Sequence, residues 1–61
     1  MNYLWAVFVV TALTDGSGDY KYTHIETYES REKCEIEATV FAVANEPWAD
    51  NETVFCLKVD E

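Results

Sequence analysis

Residues Tyr3–Leu13 have the sequence YLWAVFVVTAL, and this apolar stretch decides the predicted fold. Alternate residues of a β-strand lie on opposite faces, and here both alternating sets are apolar. The sets are Tyr3, Trp5, Val7 and Val9, and Leu4, Ala6, Phe8 and Val10. A strand without a polar side is covered on both faces or flanked on both edges. We therefore predict a central strand over residues 3–13.

A signal-peptide core is the alternative interpretation of this stretch. No Lys or Arg precedes it, and no small-residue cleavage site with an obvious mature start follows it. The run is also too short to span a bilayer, which takes about 20 apolar residues. These features favour the core strand.

The remaining elements are indicated by turn formers, β-branched residues and a helix cap. Asp15–Asp19 (DGSGD) predicts a hairpin turn, and the polar, aromatic stretch Tyr20–Tyr28 predicts an edge strand after it. Ser30 is suited to cap a helix over residues 31–44, which Pro47 would end. Thr53–Val59 (TVFCLKV) predicts the third strand.

These elements predict one small α+β domain over residues 1–61. At 61 residues, the chain can bury only about 60% of its unfolded surface and should be stable by a few kcal/mol. The connections are short, so the simplest arrangement is ββαβ, a three-stranded antiparallel sheet of order 2-1-3 with one helix on one face.

The predicted helix has two apolar stripes, although only one can face the sheet. One stripe contains Cys34, Ala38, Phe41 and Ala42, and the nearly opposite stripe contains Ile36, Val40 and Val43. In addition, if Cys56 faces the helix, its strand presents three apolar residues on the uncovered sheet face. These are Phe55, Leu57 and Val59.

Trp48 lies in a polar loop and is predicted either to cover the core or to project as a binding anchor. The surplus apolar residues predict contacts with a protein partner or with a second copy of the chain. The candidate contacts are Ile36, Val40, Val43, Trp48, Phe55, Leu57 and Val59.

Cys34 and Cys56 are the only cysteines. Two buried reduced thiols are the preferred interpretation, and a disulfide is the alternative. Such a bond would add about 3 kcal/mol in the chain-entropy model. Zinc is disfavoured because two cysteines and one histidine leave a tetrahedral site incomplete.

The sequence predicts no catalytic residue, metal site or cofactor. His24 has no accompanying nucleophile, so a solvated strand histidine is favoured over a catalytic base. Asp15, Ser17, Asp19 and Glu26 partly match a calcium loop, but Tyr20 stands where that loop requires glycine. A hairpin turn is the favoured interpretation.

The formal net charge is −8, from twelve Asp and Glu against four Lys and Arg. This balance disfavours direct binding to nucleic acid or to anionic membranes, which need clustered cations. It favours a basic protein partner, although acidity also keeps a small apolar domain soluble.

The layout resembles that of short phage-encoded proteins: an apolar Tyr-Leu-Trp strand, an aromatic hairpin, a Ser-x-x-x-Cys helix start and a final Phe-Cys-Leu strand. In element order and acidity it is also similar to small phage inhibitors of bacterial RNA polymerase. The resemblance implies a non-enzymatic, host-directed binding protein in the cytoplasm of an infected cell. A self-associating structural domain and a secreted, disulfide-stapled domain remain the alternatives.

Overall fold

The computed structural model describes residues 3–60 as three strands and one helix. They are β1 (Tyr3–Ala12), β2 (Tyr20–Tyr28), α1 (Arg31–Ala44) and β3 (Glu52–Asp60). The bounds of β2 and α1 match the predicted ranges. β1 ends one residue earlier than predicted, and β3 extends one residue further at each end.

β1 is the central strand of an antiparallel sheet ordered β2-β1-β3. Its pairing on both edges agrees with the predicted central position, while α1 covers only one of its two apolar faces. The prediction of a ββαβ, α+β fold with strand order 2-1-3 is confirmed.

The core lies between α1 and the sheet, and it is thin. Val7 is 1% exposed and stands directly opposite Cys56 of β3, while Cys34 at the start of α1 is fully buried. Val9 is buried on the same face as Val7, whereas Ala6, the other buried apolar residue of the described chain, lies on the opposite face of β1. Of the two apolar stripes of α1, the one that faces the sheet contains Cys34, Ala38, Phe41 and Ala42, which are buried or half-buried.

Cys34 and Cys56 form a disulfide that ties α1 to β3, with their Cα atoms 6.0 Å apart. The preference for two reduced thiols is therefore wrong, and the alternative is correct. The sequence could not decide this, because the outcome depends on how α1 is placed over β3. Ser30 caps the same end of the helix, since its Oγ accepts a hydrogen bond from the Lys33 N–H at 3.1 Å.

A β-bulge interrupts the β1–β2 pairing. Val7 pairs with Glu26 and Phe8 with His24, so Ile25 is the extra residue of β2. Ile25 lines the cleft between β2 and α1 together with Val7 and Phe41. The bulge thus lets β2 contribute an apolar side chain to the helix side, while His24 packs edge-on against Phe8 at 5.4 Å on the other side.

Asn51 fastens the loop before β3 to the end of β1. Its Nδ2 donates a hydrogen bond to the Ala12 carbonyl at 2.9 Å, and the Ala12 N–H donates to the Asn51 carbonyl at 2.8 Å. The side-chain bond is partly buried, so its loss should cost more than that of a surface bond.

The change Asn51→Asp is expected to lower the free energy of unfolding by about 2 kcal/mol, because a carboxylate oxygen would face the Ala12 carbonyl. Urea unfolding followed by circular dichroism measures this loss. Asn51→Ala is the control, because it removes the donor without adding a charge and should cost less. Equal stability of Asn51→Asp and the wild type would contradict the role assigned to this bond.

Candidate protein-binding surfaces

The outer side of α1 carries an exposed apolar stripe. We call Ile36, Val40 and Val43 the helix stripe; they are 52, 55 and 62% exposed. Ile36 and Val40 line a shallow depression together with Glu32, Glu35 and Thr39. These three candidate contact residues of α1 are thus exposed to solvent.

Charged side chains of both signs flank the helix stripe, with three carboxylates and two cations on α1. The Arg31 Nε lies 2.8 Å from Glu35 and the Lys33 Nζ lies 3.4 Å from Glu37, so both cations are already paired along the helix. On the β2 side of the helix, burial raises the pKa of Tyr28, and the negative charge of Glu37 raises it further. The surface of α1 is thus apolar at its centre and charged around it, with one carboxylate more than cations.

A second apolar surface is the sheet face opposite α1. Cross-strand partners point to the same face, so the strand register defines its members. This open sheet face comprises Leu4, Ala6, Phe8, Val10, Ala12, Tyr20, Tyr22, His24, Thr27, Thr53, Phe55, Leu57 and Val59. Tyr20 and Tyr22 are both 59% exposed and Phe55 is 47% exposed, and these residues line one shallow apolar depression with Val10 and Leu57.

The open sheet face contains no Asp, Glu, Lys or Arg. Every charged residue of the three strands falls in the other register, on the side of α1. These residues are Lys21, Glu26, Glu52, Lys58 and Asp60. The strands therefore separate charged from uncharged side chains onto opposite faces, a segregation that composition alone does not reveal.

Of the predicted contact residues, the structure divides all but one between these two surfaces. Ile36, Val40 and Val43 form the helix stripe, whereas Phe55, Leu57 and Val59 belong to the open sheet face. The exception, Trp48, folds back on the end of α1: its Nε1 donates to the Ala42 carbonyl at 2.8 Å, and its ring lies 5.8 Å from that of Phe41. Of its two predicted roles, this half-buried position favours the cover over the projecting anchor.

The residues considered for chemistry occupy separate, exposed places. His24 Nε2 lies 2.7 Å from the Thr27 hydroxyl. In the hairpin turn, hydrogen bonds from Ser17 hold the pKa of Asp15 below its usual value, and Gly16 and Gly18 have φ of 84° and 76°. Within residues 3–60, no group of three or more His, Cys, Asp or Glu is arranged to hold a metal ion.

Comparison with known proteins gives no match to a family model, to a curated protein or to a solved structure. In the described part of the chain, no helix has the length and apolar character needed to cross a membrane.

The sequence prediction missed the contribution of β2 and β1 to the open sheet face. Phe8, Tyr20, Tyr22 and His24 were not among the candidate contacts, although alternation along each strand could have placed the tyrosines together. Their position beside Phe55 required the register across three strands, which the bulge at Ile25 shifts.

Proposed function

We propose that this protein is a non-enzymatic, acidic protein-binding module whose helix stripe docks on a basic protein. The supporting observation is the exposed apolar stripe of Ile36, Val40 and Val43, which has Glu32 and Glu35 beside it on a chain of net charge −8. An apolar centre provides affinity when it is desolvated, and the surrounding charge selects a partner of opposite sign and speeds the encounter.

The resemblance to short phage proteins extends this proposal to a particular setting. The module would be phage-encoded and would modulate or inhibit a basic host protein, such as RNA polymerase or a nuclease, in the cytoplasm of the infected cell. Direct binding to nucleic acid is not part of the proposal, because the net charge of −8 repels phosphates.

The test compares retention of bacterial proteins on the immobilised protein and on two variants. Val40→Lys puts a cation into the helix stripe, and we expect it to weaken retention of the specific partner at least about tenfold. Leu13→Lys is the matched control, because Leu13 is exposed beyond the end of β1 and is not part of the helix stripe.

Both variants change the net charge equally, so they separate docking from simple ion exchange. Docking predicts that Val40→Lys loses the partner while Leu13→Lys keeps it. Equal retention by the two variants, with release by salt alone, would show non-specific attraction to an acidic protein and would contradict the proposal. Inhibition of transcription by purified bacterial RNA polymerase then tests the named target directly.

The disulfide supports a second candidate function, that of a stapled domain working in an oxidising compartment. Disulfides persist in such compartments and are rare in the reducing cytosol, so the Cys34–Cys56 bond is the observation that supports this candidate. Thiol counting on protein taken from its native compartment is the measurement. Two free thiols would support the cytoplasmic setting, and none would support the oxidising one.

A further inference from the structure

We infer that the open sheet face is the contact between two copies of this chain, which stack sheet against sheet to form a symmetric dimer with both helices outside. This inference goes beyond the proposed function, since it uses the face opposite the helix stripe. The two proposals can therefore fail separately.

Charge identifies a second copy as the occupant of this face. Two molecules that each carry a net charge of −8 repel one another, and contact through their helix sides would desolvate charged residues: three carboxylates and two cations on α1, and all the charged residues of the strands. The open sheet face carries no ionised carboxylate and no Lys or Arg. It is thus the side on which two copies can meet without apposing like charges.

The absence of charged residues also makes a basic protein a poor partner for the open sheet face. Positive side chains that were buried against an uncharged face would lose water without gaining a counter-charge, which costs several kcal/mol per ion. A second open sheet face instead offers aromatic and aliphatic groups. In such a dimer, the rings of Tyr20, Tyr22 and Phe55 can pack on the same residues of the second copy. The tyrosine hydroxyls can remain in contact with water at the rim of the interface.

The size of the face is sufficient for a dimer. The chain is a slab with extents of 39 × 26 × 12 Å, and the sheet forms one of its two broad sides. An interface of ordinary size removes about 800 Å² from each partner, roughly a sixth of the 4549 Å² that this chain exposes. Stacked sheets lie about 10 Å apart and within about 30° of parallel, which allows the side chains of the two faces to interdigitate.

The thin core gives a physical reason for such pairing. Small domains commonly need a disulfide, a metal or self-association, because one core of this size supplies only a few kcal/mol. Stacking would convert Phe8, Val10, Phe55 and Leu57 from one exposed side of a sheet into the centre of a second core. A symmetric contact of this kind closes on itself and does not propagate into fibres.

Sedimentation equilibrium over protein concentrations from about 5 to 500 µM tests the inference. We expect the wild type to reach twice its 7.0 kDa mass within this range. Phe55→Lys is expected to weaken the dimer at least about 100-fold, because it places a charge at the centre of the apolar contact. This change makes the net charge less negative, so a loss of dimer cannot come from greater overall repulsion.

Two further variants keep the test decisive. Tyr22→Lys alters a more exposed residue of the same face and should also weaken the dimer. This variant tests the interface even if Phe55→Lys does not fold. Val43→Lys changes the helix stripe by the same charge and should leave the dimer intact. Circular dichroism establishes that each variant is folded.

Salt provides an independent check, because it screens the repulsion between two acidic copies. The dimer should become tighter as ionic strength rises, whereas binding to a basic partner should become weaker. A wild type that stays monomeric at about 500 µM overturns the inference. So does a dimer that Val43→Lys disrupts while Phe55→Lys and Tyr22→Lys leave it unchanged.

Discussion

Replacement of both Cys34 and Cys56 by alanine is expected to lower the free energy of unfolding by about 3 kcal/mol, in the chain-entropy model for a loop of this length. The bond closes a segment with a sequence separation of 22 and joins α1 to β3, the two elements that follow the hairpin. For a domain of this size, that loss corresponds to a fall in Tm of about 15 °C. A domain stable by only a few kcal/mol would then be largely unfolded near 37 °C.

Thermal unfolding at a single protein concentration measures this effect, since self-association would make Tm concentration-dependent. The control is wild-type protein treated with a reductant, which opens the bond without removing the buried sulfur at Cys34. Alkylation and mass measurement should find no reactive thiol before reduction and two after it. Reduced and oxidised wild type with the same Tm would contradict the stabilising role of the bond.

The change Val7→Ala is expected to destabilise the protein by about 2 kcal/mol, because it removes buried methyl groups and leaves a cavity that a rigid sheet cannot close. Val7 is 1% exposed at the middle of the central strand, next to Cys56 of β3 and beneath Phe41 of α1. The core contains few such residues, so neighbouring side chains have little freedom to compensate. Urea unfolding is the measurement.

The matched control is Val43→Ala, which removes the same atoms from a residue that is 62% exposed. This variant should lose no stability and could gain up to about 0.5 kcal/mol, since alanine favours a helix more than valine does. Comparable losses at the two positions would show that Val7 is not at the centre of the core.

The two apolar surfaces impose different demands on the same small chain. Docking through the helix stripe calls for an oppositely charged partner. The open sheet face is instead suited to contact with another uncharged, apolar surface. A dimer built through the sheet would display two helix stripes on opposite outer sides. Such a molecule could engage two copies of a basic partner, and Phe55→Lys and Val40→Lys would separate the two activities.

Much of the fold could be predicted because local patterns and the global arrangement agree. The doubly apolar stretch at residues 3–13 predicted a central strand, and the turn at Asp15–Asp19 and the cap at Ser30 delimited β2 and α1. The exposure of one of the two helix stripes also followed, because one helix cannot turn two opposite stripes towards the same sheet, and the structure shows that it is the stripe of Ile36, Val40 and Val43.

The sequence by itself thus determined the order of the elements, the central place of β1 and the apolar surplus. Only the tertiary structure decided that Cys34 and Cys56 are bonded, that Trp48 folds back on α1, and that the strands present all their charged residues on one face. Each of these depends on distances between residues far apart in the chain, and a single bulge at Ile25 shifts the register of β2 relative to β1. Periodicity reports which residues share a face of one element, but side-chain neighbours across elements are set by packing.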